Sequence, residues 1–373
     1  MLRVKKLIYL TYQSFPANTA NSLQTISNIR YLVRNNIEVE LVFPLREKSS
    51  DSNIDKIKKH YAIDENFKIT GLKHFLPFGR TTFLRGLFFH ISQFLWAYFV
   101  VRFKFSKMKE TTFMTRSDWI LFFLAKYKKN VIFECHQTSK TRTFVLNKVG
   151  KYENVKIIFL NHNLQQYYKM NENNSTVLHN GVDPDVFKNF DEQKQDKKEI
   201  VFIGNLKRFN EERGINFIID AYKNSEFLQK NNLTIVGGPQ KEAEKLFNKI
   251  NDLGLSGSLK ITGRLDRSAI SNIYQNSKIG ILINSSNNIH SYEFTSPLKY
   301  FEYLYTGLIV VGVDFPSHRA LPRSDEIIFF EENNLISFEL AIKKALNLSL
   351  GDLKSDETIT LEYRAKKIIN LID

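Results

Sequence analysis

The sequence of 373 residues predicts an α/β protein made of two doubly wound domains. Three observations carry this prediction. Short apolar runs typical of buried parallel strands recur along the chain, and amphipathic segments with helical spacing lie between them. The series then starts a second time after a charged stretch near residues 190–198. The length of the chain also fits two domains of ordinary size.

The first domain is expected to span residues 1–192. It begins with the strand KKLIYLTY, the helix NSLQTISNIRYLVRNN and the strand IEVELVF, an order that predicts a parallel βαβ unit. Further strands are predicted at VIFECH, KIIFLNH and STVLHN. In the first helix the apolar residues recur at helical spacing, as Leu23, Ile26, Ile29 and Val33.

The charged, apolar-free stretch DEQKQDKKE predicts a linker between the domains. The second domain, expected over residues 193–352, starts with the strand IVFIGNL and the helix GINFIIDAYKN. It continues with LTIVGG, LKITGR, KIGILIN, a helix from Ser296 and the strand LIVVGVDF. Residues 353–373 are expected to form a helix that packs back on the first domain. Open parallel sheets bind ligands at the carboxyl ends of their strands, so a cleft between the domains is the predicted site.

The net charge of +14 is concentrated in the first half of the chain. Residues 1–190 hold 29 Lys and Arg against 14 Asp and Glu, whereas the remainder holds 24 against 25. This excess predicts an acidic partner, either anionic lipid or nucleic acid. The single cysteine, Cys135, excludes an internal disulfide and suits a reducing compartment. The short apolar run at the N-terminus does not have the pattern of a signal peptide.

Residues 72–109 are both basic and aromatic, with seven Lys and Arg and no acid. The apolar core between Arg85 and Arg102 is short and is interrupted by polar residues, which argues against a helix that spans a membrane. Two interpretations remain open. The segment is a helix that lies in a membrane interface, or a helix that packs on the sheet of its domain and has cationic ends.

The stretch SPLKYFEY predicts the start of a helix that can bind an anion. Pro297, after Ser296, suits the first helical position, where its missing N–H costs nothing. The amides around Leu298 and Lys299 can donate to a diphosphate at the helix N-terminus. Glu302 lies further along the helix and can accept hydrogen bonds from both hydroxyls of a ribose. The alternative is that Lys299 and Glu302 belong to a solvated helix face.

A series of segments resembles the GT-B glycosyltransferases, in particular the large retaining family four, glycosyl transferases group 1. In chain order they are NSLQTISNIRYLVRNNIEVELVF, FMTRSDW, VIFECH, VLHNGVDPDVF, FIGNLKRFNEERGINFIIDAY, ITGR and SPLKYFEYLYTG. The resemblance covers most of the chain and implies two Rossmann-like domains that face each other across a cleft. It implies a first domain that binds a glycan or lipid-linked acceptor and a second that binds a nucleoside-diphosphate sugar. The implied reaction is sugar transfer with retention, without a metal or another cofactor.

Three donor-binding residues follow from this resemblance. Glu302 is implied to bind the ribose, and Arg213 to take the place of a lysine that grips the diphosphate. Arginine can bind phosphate through two parallel hydrogen bonds, so the exchange is chemically sensible. Lys207 or Arg208 is implied to stand in for an earlier arginine of the family, whose position here is Asn205.

The Glu-x7-Glu motif of the family is incomplete in this sequence. Phe294 occupies the position of the first glutamate, and Glu293 lies one residue away from it. In the family that carboxylate lies beside the donor sugar. Whether Glu293 compensates for it is left open by the sequence.

The resemblance also assigns roles in the first domain. His136 is implied to hydrogen-bond the donor sugar and to stabilise charge near the anomeric centre, so that His136 and Glu302 are the expected catalytic residues. Asn18 is implied to border the donor, and Arg116 to face the acceptor. The alternative for His136 is a structural histidine at a strand end, with its hydrogen bonds made within the protein. The alternative for Arg116 is a salt bridge without a role in binding. Asp183 and Asp185 imitate a metal motif of another glycosyltransferase fold, but their context NGVDPDVF is typical of a turn, so no metal is expected.

The resemblance therefore implies a cytoplasmic glycosyltransferase, and by analogy a role in bacterial surface polysaccharide assembly; we expect it to be peripheral to the inner face of the cell membrane. Three other functions stay open. They are a nucleotide-sugar epimerase on the same fold, a noncatalytic relative, and a nucleic-acid-binding protein. The last lacks a recognised binding motif, and no nucleic-acid partner is expected.

Overall fold

The computed structural model describes residues 5–74, 85–170, 172–188, 190, 199–208, 211–349 and 356–372. Most of the predicted linker, the part of the basic segment that contains Arg80, and residues 353–355 lie outside the described residues. The chain divides into two compact units, Met1–Leu178 with Leu361–Asp373, and His179–Thr360. Each unit has its own mostly parallel sheet with helices between the strands, so the predicted α/β fold class is confirmed.

The strands of the first unit pair in the order β3-β2-β1-β4-β5-β6-β7, and every pairing is parallel. They are β1 (Lys6–Leu10), β2 (Glu38–Leu45), β3 (Lys68–Lys73), β4 (Thr112–Thr115), β5 (Val131–Cys135), β6 (Val155–Phe159) and β7 (Ser175–Val177). The central strands are buried along nearly their whole length, as expected when helices cover both faces of a sheet.

The main sheet of the second unit has the order β12-β11-β8-β13-β14-β15 and is also parallel. A short antiparallel pair, β9 with β10, follows its first strand. The strands are β8 (Glu199–Ile203), β9 (Lys207–Arg208), β10 (Glu211–Glu212), β11 (Leu233–Val236), β12 (Leu259–Ile261), β13 (Ser277–Leu282), β14 (Ile309–Val313) and β15 (Ile328–Phe330).

The helices alternate with the strands in both units. In the first half of the chain they are α1 (Ala20–Arg34), α2 (Ile54–Tyr61), α3 (Arg85–Phe99), α4 (Asp118–Lys126), α5 (Lys140–Val149) and α6 (His162–Tyr167). In the second half they are α7 (Ile215–Asn224), α8 (Glu226–Gln229), α9 (Gln240–Asp252), α10 (Arg267–Asn276), α11 (Leu298–Tyr305), α12 (Pro316–Arg319), α13 (Leu335–Asn347) and α14 (Leu361–Ile369).

The boundaries between the units differ from the predicted ones at residues 192 and 352. The second unit begins at His179 and ends at Thr360. Val182 pairs with Thr360 in an isolated parallel bridge, and Val182 and Ile359 belong to the same buried apolar cluster of the second unit. The two segments where the chain passes between the units therefore contribute to the core of the second unit. The boundaries lie at these segments, and the first is not at the charged stretch near residues 190–198.

The C-terminal helix α14 packs on α1 in the first unit. Leu361, Ala365 and Ile368 share a buried cluster with Ile26 and Ile29 of α1. Residues that follow the whole second unit in sequence thus complete the core of the first unit.

Helix α3 continues into a π-helix, Val100–Phe105. Among the described residues, Gly86–Phe105 is the one helical stretch that is long and apolar enough to cross a membrane, and 22% of it is buried in the protein. Trp96, Ala97 and Val101 are buried, and the helix packs against α4. One stripe of this helix therefore belongs to the core of the first unit.

Candidate functional site

The strand order of the second sheet reverses between β8 and β13. From β8 the chain proceeds to β11 and β12 on one side, and then to β13, β14 and β15 on the other. In open α/β sheets ligands bind at the carboxyl ends of the strands at such a reversal. Here these ends carry Gly204 and Asn205 after β8, and Ile283 and Asn284 after β13.

Arg213 lies at this reversal. Its Nε donates to Oδ1 of Asn284 at 2.9 Å, and its Nη1 donates to the carbonyl of Asn205 at 3.2 Å. A Cβ at Gly204 would lie 3.0 Å from Nη1, so the absence of a side chain there lets the guanidinium approach the strand end. The predicted phosphate-binding arginine is thus held in place from both central strands.

The N-termini of α7 and α11 differ in what occupies their amides. Glu212 accepts hydrogen bonds from the amides of Gly214 at 2.9 Å, Ile215, and Asn216 at 3.1 Å, and so caps α7 with a carboxylate. No side chain of the described residues caps α11. Since uncapped N-terminal amides favour an anion, α11 is the helix of the two that can take a phosphate.

Tyr303 fixes α11 over the reversal. Its hydroxyl donates to the carbonyl of Ile281 at 3.3 Å and accepts from the amide of Ile203 at 3.1 Å. Gly280 makes room for the ring, because a Cβ there would lie 2.6 Å from it. The helix that carries Lys299 and Glu302 is therefore anchored to both β8 and β13.

Glu302 has one occupied and one unoccupied oxygen. Its Oε2 accepts from the hydroxyl of Tyr274 at 2.5 Å and from Nζ of Lys299 at 2.6 Å, whereas Oε1 receives no hydrogen bond from the described residues. The Glu302 side chain is 20% exposed. Burial, and then the charge of Glu302, raise the pKa of Tyr274 well above its ordinary value, so this phenol remains a donor. Oε1 is thus available to hydroxyl groups.

The residues before α11 have structural contacts. Nδ2 of Asn180 donates to the carbonyl of the buried Ser296 at 2.7 Å. Pro297 is the N-cap residue, with φ −69° and ψ 126°, and the helix begins at Leu298. The prediction that Pro297 is the first helical residue was wrong by one position, because its ψ is extended and not helical. Leu298 itself is exposed.

Lys207 lies on the β9–β10 hairpin and pairs with Glu242 of α9, with 2.9 Å between Nζ and Oε1. An anion at this lysine would have to compete with that carboxylate. The hairpin places Lys207 opposite Glu212, the residue that caps α7. Arg213 is therefore the better anchored of the two predicted cations.

In the first unit the strand order reverses between β1 and β4, and the predicted residues follow the strands near that point. Asn18 is exposed in the loop after β1, one residue before Thr19, whose side chain caps α1 by accepting from the amide of Ser22. Arg116 follows β4 and His136 follows β5. All three therefore lie beyond the carboxyl ends of their strands.

Glu134 on β5 forms a fully buried ion cluster. Its carboxylate accepts from Nε of Arg116 at 2.7 Å, from the hydroxyl of Tyr9 at 3.0 Å, and from Nη2 of Arg364 on α14. Burial by itself would raise the pKa of Glu134, but the charge of Arg116, the neighbouring His136 and the charge of Arg364 hold it well below its usual range. The sequence predicted no role for Glu134.

Arg116 belongs to this cluster and not to an open acceptor surface. Only 7% of its side chain is exposed. Besides the pair with Glu134, its Nη1 donates to Asn21 at 2.6 Å and to Gln24 at 3.2 Å. The structure therefore favours the salt-bridge alternative over the predicted acceptor-side role, because the positive charge of Arg116 balances the buried Glu134 carboxylate.

His136 lies at the edge of the cluster. Its Nε2 is 4.0 Å from Oε1 of Glu134, and 22% of its side chain is exposed. Burial, followed by the charge of Arg116, lowers the pKa of His136 to about 3. The imidazole is therefore neutral near pH 7 and can donate one hydrogen bond and accept another.

The segment around Glu293 contains a second π-helix, His290–Phe294. Phe294, at the position of the missing glutamate, is buried, whereas Glu293 is half-buried. A π-helical turn contains one residue more than an α-helical turn. Glu293 and Phe294 therefore both lie in a π-helical turn shortly before α11.

Sequence reasoning missed Tyr274 and Asn284, which hold Glu302 and Arg213. Neither lies in a recognisable motif, because both act through contacts with residues distant in sequence. Glu134 did leave a signal, since an acid within an apolar strand must find partners when it is buried.

No group of three or more His, Cys, Asp or Glu that could hold a metal occurs among the described residues. Asp183 accepts a hydrogen bond from the amide of Asp185 at 3.1 Å and caps a short 3-10 helix, Pro184–Phe187. Asp185 in turn pairs with Lys188 at 3.2 Å. Both carboxylates of the DPD sequence thus have local structural contacts.

Comparison with known structures finds proteins of similar fold. Sucrose-phosphate synthase from Thermosynechococcus elongatus superposes with a TM-score of 0.69 over 98% of each chain, at 11% identity. HepE from Anabaena, in complex with UDP and glucose, superposes with a TM-score of 0.63 over 98% of each chain, at 12% identity. WaaG, a glycosyltransferase involved in lipopolysaccharide biosynthesis, superposes with a TM-score of 0.61 over 99% of each chain, at 10% identity.

A comparison with the sequences of curated proteins gives no match. Residues 186–363 match the family described as glycosyl transferases group 1, and this range covers most of the second unit and the start of α14. The fold expected from the sequence is thus confirmed over the whole chain. The protein has the GT-B fold, and its residues 186–363 match the model of the glycosyl transferases group 1 family.

Proposed function

We propose that the protein transfers a sugar from a nucleoside-diphosphate sugar to a glycan or lipid-linked acceptor, with retention of the anomeric configuration and without a metal. The observation that carries the proposal is the convergence of Arg213 and α11 on the β8–β13 reversal of the second unit. A diphosphate needs a fixed cation and free helix amides, and this reversal offers both.

The donor fits the second unit in the following way. The diphosphate lies between the Arg213 guanidinium and the uncapped N-terminus of α11, with Lys299 as a second cation once it releases Glu302. The ribose diol donates to Oε1 of Glu302, whose Oε2 stays with Tyr274. These contacts balance the diphosphate charge with arginine, lysine and the helix dipole, so the proposal requires no metal.

The proposed reaction is same-face substitution at the anomeric carbon. The bond from that carbon to the diphosphate oxygen breaks, the bond to the acceptor oxygen forms, and the acceptor proton passes to the departing phosphate. Protein groups then act mainly by positioning the reactants and by stabilising negative charge on the leaving group. His136, as a neutral imidazole, suits a hydrogen bond to a sugar hydroxyl.

The missing first glutamate has a candidate substitute in Glu293. The π-helical turn His290–Phe294 supplies one extra residue next to α11, which supports the use of the adjacent carboxylate. On this proposal Glu293→Gln lowers kcat much more than it raises KM for the donor. Glu331→Gln, which changes an acid after β15, serves as the control in the same assay.

The first experiment is a thermal-shift panel of UDP, GDP, ADP and their sugars, with EDTA present. UDP is the first choice because HepE was solved with UDP and glucose. Wild type should be stabilised by one nucleotide, since a ligand that binds only the folded state raises Tm. Arg213→Gln and Glu302→Gln should lose the shift. Arg319→Gln, which breaks the exposed pair with Asp314 in the same unit, should keep it.

If no nucleotide raises Tm at millimolar concentration, or if Arg319→Gln loses the shift equally, the proposed donor site is refuted. With the donor identified, the anomeric configuration of the product by proton NMR tests retention. A product of inverted configuration would overturn that part of the proposal.

Nucleotide-sugar epimerisation is the competing function on this fold. It needs no acceptor, so conversion of the sugar nucleotide by the protein alone would favour it. The proposed biological setting is assembly of bacterial surface glycans at the cytoplasmic face of the membrane. The role of WaaG in lipopolysaccharide biosynthesis supports this setting by likeness of fold.

A further inference from the structure

The first unit carries a continuous exposed aromatic surface that the proposed reaction does not use. Its residues on α3 and the π-helix are Leu87, Phe88, Ile91, Phe94, Phe99 and Phe103. They recur about every four residues, away from the buried residues Trp96, Ala97 and Val101 of the same helix. We call this surface, together with its continuation on α4 and α5, the aromatic face.

The aromatic face continues beyond α3. The ring of Phe94 contacts that of Trp119 on α4, with centroids 4.8 Å apart. Trp119 in turn contacts Phe122 at 6.0 Å and Phe144 of α5 at 6.3 Å. Phe144 is exposed. Three helices therefore contribute to one surface, which is larger than the segment that the sequence singled out.

The helix is held lengthwise against the unit. Trp96 and Val101 are buried along its middle, and Phe105 at its end contacts Phe113 of β4 with 5.3 Å between ring centroids. A helix that is buried in a folded unit along one side, from Ser92 to Phe105, cannot also be surrounded by lipid on all sides. Despite its span-like composition, Gly86–Phe105 therefore fits a position in the plane of an interface better than a transmembrane one.

The charges around the aromatic face are predominantly positive. Residues 85–109 contain no acid, and Arg102, Lys104, Lys107 and Lys109 are exposed at the end of the helix. Lys126 lies 5.8 Å from the ring of Phe122. The nearby Asp118 is neutralised by Arg142, with 2.8 Å between Oδ1 and Nε. Glu110, an exposed acid, directly follows Lys109, and the four cations outnumber it. Apolar rings bordered by an excess of cations complement the acyl chains and head groups of anionic lipid.

We propose that the aromatic face docks the first unit on an anionic bilayer, with the axis of Gly86–Phe105 parallel to the membrane and the Phe99 and Phe103 rings in the acyl boundary. The cations at the end of the helix contact the lipid head groups. This docking shares no residue with the donor site, so it stands or falls independently of the proposed reaction. It gives the enzyme access to acceptors that are carried by lipid.

The test is co-sedimentation of the full chain with vesicles of pure phosphatidylcholine or of phosphatidylcholine with 30% phosphatidylglycerol. The protein should bind the anionic vesicles and should dissociate as NaCl is raised, because salt screens the lysines. Phe103→Ser should weaken the partition coefficient about tenfold, the effect of keeping one phenylalanine ring out of an apolar phase. Ile336→Ser is the matched control, since Ile336 on α13 of the second unit is 74% exposed, as is Phe103.

Circular dichroism should show that both variants remain folded. Equal binding by the two variants, or equal binding to neutral and anionic vesicles, would overturn the proposal. So would a concentration-dependent dimer in light scattering that Phe103→Ser abolishes, because a second copy would then cover the face. Retention in the membrane after washing at high salt and alkaline pH would indicate a spanning helix and would also refute it.

Discussion

Glu134 in the first unit and Glu302 in the second have the same kinds of partner. Each accepts hydrogen bonds from a tyrosine and from a cationic side chain. They differ in burial and in how many of their carboxylate oxygens still lack a hydrogen bond. Glu134 is fully buried with contacts on both oxygens, whereas Glu302 is partly exposed and has an unoccupied Oε1. If the proposed donor site is correct, unused hydrogen-bonding capacity at an accessible oxygen, rather than residue type, distinguishes the binding carboxylate Glu302 from the structural carboxylate Glu134.

The largest expected effect is on the buried cluster. Glu134→Gln leaves the guanidiniums of Arg116 and Arg364 without a counter-charge in the core, which should lower the free energy of unfolding by about 3–5 kcal/mol. Urea denaturation followed by circular dichroism measures this change. A loss below about 1 kcal/mol would show that the cluster is solvated, contrary to its burial.

In contrast to Glu134→Gln, we expect Glu302→Gln to change the stability of the protein little and to weaken ligand binding strongly. We expect donor-nucleotide affinity to fall about 10- to 100-fold, because a hydrogen bond to a charged acceptor is worth about 1.5–3 kcal/mol. Isothermal titration calorimetry measures the affinity. Glu326→Gln, which removes a carboxylate from another i,i+3 pair in the same unit, should leave it unchanged. Equal losses in both variants would contradict a specific role.

Acidification should destabilise the protein through His136. Its pKa in the fold is about 3 against an ordinary 6.5, so between these values the unfolded chain binds a proton that the folded chain does not. Stability therefore falls as pH falls, by at most about 1.4 kcal/mol per pH unit. Urea unfolding at pH 7, 6 and 5 measures the slope. The window lies above the region where Glu134, whose pKa is depressed, loses its contribution. His136→Asn should reduce the slope, and an unchanged slope would mean that other groups cause it.

The smallest effect is expected from Tyr274→Phe. The change removes one hydrogen bond to Oε2 of Glu302, worth about 0.5–1.5 kcal/mol, so nucleotide affinity should fall by about three- to tenfold. Calorimetric titration with the same nucleotide detects this. Tyr222→Phe, which removes a hydroxyl bound to the carbonyl of Asn231 in the same unit, is the control. Unaltered affinity in Tyr274→Phe would mean that Lys299 alone orients Glu302.

The fold could be predicted because its signal is local. Apolar runs such as VIFECH and IVFIGNL form β5 and β8, and the segments between them form helices. Within the candidate site, the positions of Arg213 and Glu302 followed from short motifs. The orientation of their side chains did not, since Asn284 and Tyr274 set it from 71 and 28 residues away in the chain.

Arg116 shows the limit most clearly. From the sequence alone, a charged residue after a strand is a candidate for ligand binding. Its burial beside Glu134 depends on tertiary packing, which no local sequence pattern encodes. The one-residue error at Pro297 has a smaller cause. Proline suits both the N-cap and the first helical position, and only its ψ angle distinguishes them.

The contact between Arg364 and Glu134 spans 230 residues of chain. During synthesis on the ribosome the strands of the first unit emerge early, but the helix that supplies this arginine follows the entire second unit. Until then, Glu134 has Arg116 as its cluster arginine, and the apolar face of α1 that receives α14 is open to water. The first unit therefore cannot complete its buried ion cluster or its core until the second unit has been translated.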